Sequence, residues 1–127
     1  MKITKTTVSL TVSDVSASAV FLSTHFGFTV EMSNSDFAKL ARPDAGADVV
    51  FVRCGIEVLP ESYRDQQVAG FILAFTTTGL EDEERRLRGE GVEITLPLRE
   101  EPWGERLFQV TDPSGMIIQL VEWVASP

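Results

Sequence analysis

A chain of 127 residues is long enough to bury one core without staples, so one domain spanning 1–127 is the expectation. Its 43% hydrophobic against 24% charged residues lies away from the disordered range and calls for a packed interior. The formal net charge of −8 repels phosphate backbones and sets nucleic acid aside as a partner, while a lone cysteine, Cys54, excludes an internal disulfide and suits a reducing, cytoplasmic setting.

Residues 3–12 alternate polar and apolar side chains, with Val8, Leu10 and Val12 on one face and Thr7, Ser9 and Thr11 on the other. This predicts a half-buried strand rather than a signal peptide or a membrane span. Ser13 and Asp14 are N-cap residues, and Val15, Ala19, Leu22 and Phe26 then recur at helical spacing up to Gly27. Three strand-like runs follow, at 28–32, 37–41 and 48–53, broken by Asn34-Ser35 and by Pro43-Asp44-Ala45-Gly46.

From 55 to 70 the pattern loosens into a connection carrying Pro60 and Asp65-Gln66-Gln67. The grammar then repeats. Phe71, Leu73 and Phe75 alternate as in a strand, and Thr78-Gly79-Leu80-Glu81 has capping-box spacing ahead of a charged helix at 80–88, closed near Gly89 and Gly91. Strands are predicted at 92–96, 106–111 and 116–123, interrupted by Glu101-Pro102-Trp103-Gly104 and Asp112-Pro113-Ser114-Gly115.

Two βαβββ modules are implied, at about 3–54 and 71–124, giving an α+β fold in which the modules pair to form a curved mixed sheet around a cleft. Strand alternation lines that cleft with Thr7, Ser9, Ile72, Ala74, Leu107, Gln109, Ile117, Gln119 and Val121, a mostly apolar surface with sparse hydrogen-bonding groups. Trp103 and Trp123 are either platforms for a planar ligand or ordinary packing residues. Cys54 and Met116 show no motif spacing and read as structural. The chain has no Gly-x-Ser-x-Gly elbow, no phosphate-cradling Gly-x-x-x-x-Gly-Lys loop and no Cys-x-x-Cys pair. For a metal-free enzyme, Glu57, Glu61 and Tyr63 in the connection are the nearest proton-shuttle candidates.

The run from Phe108 to Glu122, F-Q-V-T-D-P-S-G-M-I-I-Q-L-V-E, places an Asp-Pro-x-Gly turn between two strands at the end of the repeated grammar. In that setting the chain, over about residues 5 to 123, resembles the vicinal-oxygen-chelate superfamily of glyoxalases, extradiol dioxygenases, fosfomycin-resistance enzymes and bleomycin-binding proteins. The resemblance implies histidine on the first strand of each module and glutamate on the last, holding a divalent ion. Here those positions fall on Thr7, Ile72 and Gln119, with a further ligand position near Phe51, and none supplies imidazole or carboxylate. The only histidine, His25, lies on the first predicted helix and reads as solvent-facing or helix-terminal. The carboxylates at 81–84 and 100–101 read as solvated faces.

No metal and no cofactor are therefore expected. The resemblance implies a metal-independent small-molecule binding protein, sequestering an antibiotic or other natural product in an apolar, aromatic cleft. Its partners would be a hydrophobic or aromatic ligand and a second copy of itself in a homodimer, with no membrane. Thr7, Ser9, Phe51, Ile72, Trp103, Leu107, Gln109, Ile117 and Gln119 are the ligand-binding candidates. The alternative is a glyoxalase- or dioxygenase-like lyase or isomerase acting on a small organic substrate.

Overall fold

The alternation T-V-S-L-T-V forms the first strand, β1 (Thr7–Val12), in a computed structural model that describes residues 1–124. The last three positions of the 1–127 reading lie outside the described residues. Residues 3–6, expected to extend β1, are exposed and precede it. Helix α1 (Val15–Phe26) starts where Asp14 Oδ1 accepts the Ala17 N–H at 3.0 Å. It buries Val15, Ser18, Ala19, Leu22 and Phe26 along one stripe. Gly27 ends it at φ 69°, a left-handed conformation that favours glycine. The Arg42 guanidinium then donates to the Phe26 carbonyl at 2.5 Å, capping one of the helix's orphan acceptors.

β2 (Thr29–Ser33), β3 (Phe37–Ala41) and β4 (Asp48–Arg53) complete a sheet of order β1-β4-β3-β2, in which β1 and β4 are parallel and the other pairs antiparallel. Registered pairing puts Leu10, Val12, Ala38, Leu40, Val49 and Phe51 on one face, all buried, and α1 packs against β2, β3 and β4. A single 3-10 turn, Glu61–Tyr63, interrupts the connection expected over 55–70. The Val68 N–H donates to the Thr11 carbonyl at 2.8 Å, so the end of that connection runs along β1. These elements make one compact unit, Met1–Ala69.

A second unit, Gly70–Pro127, repeats the order with β5 (Ile72–Thr76), α2 (Leu80–Gly89), β6 (Ile94–Glu100), β7 (Glu105–Thr111) and β8 (Ile117–Trp123). Its sheet runs β5-β8-β7-β6, again with the first and last strands parallel. Phe108, Val110, Ile118 and Leu120 are buried on the side where α2 lays down Leu80 and Leu87. The α+β class and the doubled βαβββ order are thus as read from the sequence.

Two local expectations change. The capping box does not form: Gly79 is the N-cap at φ 70° with no side-chain cap, and the Glu122 carboxylate on β8 accepts the Gly79 N–H at 3.1 Å instead. Strand β6 runs to Glu100 and contains Pro97, which an edge strand with shifted register tolerates because its outer N–H groups have no ladder to join. Val92, expected to open that strand, instead donates its N–H to the Leu87 carbonyl at 2.9 Å and closes the helix end.

Candidate functional site

In each unit the helix covers one face of the sheet, and the candidate residues on the strands, Phe51 apart, lie on the opposite face. In the second unit that face is built by registered pairs: Ile72 with Ile117, Ala74 with Gln119, Leu107 with Val121, and Gln109 with Gln119. Strand alternation sends these side chains away from α2 because their chain neighbours Phe108, Ile118 and Leu120 face it. Gln119 is only 8% exposed, and its Oε1 accepts from Gln109 Nε2 at 2.7 Å. Ile72 is 48% exposed, an apolar side chain left open to solvent at the edge strand. The face therefore presents hydrocarbon from Ile72, Ala74 and Ile117 beside an amide pair, with Leu107 and Val121 already buried.

At its end stand two tryptophans. Glu105 and Trp123 are registered partners on this same face. The loop 101–104 folds back so that Trp103 Nε1 donates to Glu105 Oε1 at 3.2 Å, and the Val124 N–H donates to the Gly104 carbonyl at 2.8 Å. Trp103 remains 64% exposed, an unusual placement for a large aromatic side chain. The loop's place beside the end of β8 could not be read from chain order, and Glu105 was missed because a lone glutamate at a strand start carries no motif.

In the first unit the face opposite α1 holds Thr7 and Ser9, both exposed, and Val50 and Val52 from β4. It also holds a charge network that sequence reading missed: Asp48, almost fully buried, receives Lys5 Nζ at 3.2 Å and Lys39 Nζ at 3.7 Å, and Lys39 reaches Glu31 at 3.3 Å. The available signal was a lysine inside the otherwise apolar strand Phe37–Ala41 and an aspartate opening Asp48–Arg53 ahead of an apolar run. Lys5, Glu31, Arg42 and Asp48 also line a concavity of about 360 Å³. Two acids and two lysines close this network on itself, and Arg42 is held by Asp44 at 2.6 Å.

Phe51 does not share a face with the other candidates. It pairs with Leu10 and Ala38, is 0% exposed, and lies on the α1 side. The β4 position beside Ser9 and Lys39 is Val50. The run V-V-F-V is apolar on both faces, so alternation alone could not fix its register. Thr7 and Ser9 belong to one unit's open face, and Ile72, Leu107, Gln109, Ile117 and Gln119 to the other's.

Residues 5–120 match the model of the Glyoxalase/Bleomycin resistance protein/Dioxygenase superfamily. The chain belongs to that superfamily. Solved structures with its fold include a glyoxalase/bleomycin resistance protein/dioxygenase from Nocardioides, at 22% identity and TM-score 0.75 over 100% of this chain and 87% of that one. A lactoylglutathione lyase from Agrobacterium tumefaciens superimposes at 12% identity and TM-score 0.75, over 95% and 94% of the two chains. A member of the same superfamily from Sphaerobacter thermophilus gives 26% identity and TM-score 0.71, over 96% and 98%. No curated protein matches significantly in sequence.

The divalent ion that the superfamily resemblance implies does not suit the side chains here. Thr7 offers a neutral hydroxyl, Ile72 and Val50 offer hydrocarbon, and the Gln119 carbonyl oxygen already accepts from Gln109. Among the described residues no three His, Cys, Asp or Glu side chains converge. Among them, too, no helix is long and apolar enough to cross a membrane.

Proposed function

We propose that this superfamily member is a metal-independent binding protein that holds a small apolar or aromatic compound, such as an antibiotic or another natural product, on the open face of its second unit. The observation that carries the reading is the amide pair. Where a chelating relative would need a carboxylate, Gln119 stands hydrogen-bonded to Gln109 within a hydrocarbon surface. Ile72 and Ile117 would supply affinity through area removed from water, at roughly 25 cal/mol per Å². The glutamine amides would fix orientation, and Trp103, tethered by Glu105, offers a flat surface for stacking. The protein acts in the cytoplasm as a homodimer in this reading.

The test is elemental analysis of the purified protein by inductively coupled plasma mass spectrometry, together with tryptophan fluorescence titration against aromatic antibiotics. The expected result is no stoichiometric divalent metal and saturable quenching. A full equivalent of bound divalent metal overturns the proposal and points to a lyase or isomerase.

A further inference from the structure

Gln109 and Gln119 stand directly opposite each other on adjacent antiparallel strands. Two primary amides in that position can exchange two hydrogen bonds, each donating and each accepting. Only one is made: Gln109 Nε2 donates to Gln119 Oε1. Gln119 Nε2 is left as a donor and Gln109 Oε1 as an acceptor, neither hydrogen-bonded among the described residues. Turning both amides end over end exchanges the two residues' parts but still leaves one donor beside one acceptor. The pattern therefore belongs to the pair, and it is set among Ala74, Leu107, Ile117 and Val121.

We propose that this pair recognises a cyclic amide, a lactam or imide whose ring holds its N–H and C=O on one edge. Such an edge matches the open groups one to one: the ligand carbonyl accepts from Gln119 Nε2, and the ligand N–H donates to Gln109 Oε1. An open-chain secondary amide is trans and points the same two groups in opposite directions, so it can satisfy only one of them, and among open-chain amides only a primary one shares the lactam's edge. Two neighbouring carbonyl or carboxylate oxygens would satisfy Gln119 and set a lone pair against Gln109 Oε1. Both partners in the pair are neutral, so a neutral ligand is the complement, and a desolvated donor or acceptor left unmatched discriminates strongly against the wrong one.

This specificity rests on the open face being a small-molecule site at all, and the probes separate the two claims. Isoindolin-1-one presents a lactam edge on a flat ring, and N-methylisoindolin-1-one keeps the ring while losing the N–H. Each is titrated into the full-length ¹⁵N-labelled protein, following the glutamine side-chain amide and tryptophan indole resonances. The lactam is expected to bind at least about ten-fold more tightly than its N-methyl analogue. Gln119→Glu keeps an acceptor for Gln109 but removes the donor to the ligand carbonyl, and should weaken both probes while the ratio, which reads the N–H given to Gln109 Oε1, persists. A Gln109→Leu/Gln119→Leu double variant, which removes both partners together, should bring that ratio close to one without leaving either amide unpaired. Equal binding of the two probes to the unaltered protein, a ratio that survives in the double variant, or a lactam affinity unchanged by Gln119→Glu overturns lactam recognition and leaves the small-molecule site standing. If neither probe binds while naphthalene does, lactam recognition alone fails. If naphthalene also fails to shift the face, both claims fail.

Discussion

Asp112 holds one turn with both its backbone and its side chain. Its carbonyl accepts the Gly115 N–H at 2.9 Å, and its buried Oδ1 accepts from Ser114 N at 3.0 Å and Met116 N at 2.7 Å. Replacing it with alanine leaves those two N–H groups without a side-chain acceptor inside the protein, which should cost about 2 kcal/mol, with Asp112→Asn between the two. Urea denaturation measures it, and an unchanged midpoint in Asp112→Ala would mean that Pro113 and Gly115 suffice to hold the turn. The turn was legible in the sequence because the four consecutive residues Asp112 to Gly115 set its reversal. Phe51 was not, because its orientation depends on pairing with Leu10 and Ala38, 41 and 13 positions away in the chain. The same holds for Gln109 and Gln119: each was placed on the correct face by alternation, but their hydrogen bond follows from the register of two strands.

At the scale of elements, α2 shows where local rules yield to tertiary ones. Its apolar spacing, Leu80 and Leu87, marked the helix correctly, whereas its N-terminus is secured by a group 43 residues further along, the Glu122 carboxylate. Arg106 on β7 ties the assembly together, donating to Glu122 at 3.0 Å and also to Glu81 in the first turn of the helix. The hydrogen bond from Arg106 holds the Glu81 carboxyl below the ordinary glutamate range. A depressed carboxyl stabilises the fold at pH values above its unfolded value and loses that contribution as pH falls through its folded one. Glu81→Gln should therefore be less stable than the unaltered protein at neutral pH, and the gap should shrink once pH drops below about 4.3. Chemical denaturation of both proteins at neutral and acid pH measures the gap, and one that stays constant would show that the pair contributes through packing rather than charge.

At the scale of the molecule, the fold was readable because each βαβββ unit closes on itself: its first strand pairs with its last, so the repeat needs no partner to be recognised. Self-association is harder to read, since it depends on what the surface leaves open. Every residue of the edge strand β2 is exposed, Val30 and Met32 among them, and Ile72, Trp103 and Trp123 add apolar surface elsewhere. Exposed edges and apolar side chains are what a homodimer would cover. Each chain also carries a net charge of −8, so two copies repel, and the attraction must come from burial and backbone pairing, which salt screens little. Association should thus tighten as salt rises from about 20 mM to about 200 mM, where the screening length falls below about 10 Å. Sedimentation velocity should find a particle of twice the 14.0 kDa chain mass, with a dimer fraction that grows with salt. A monomer at every salt concentration would remove the homodimer from the proposal, and a dimer that dissociates as salt rises would mean that opposite charges, rather than buried apolar surface, hold it together.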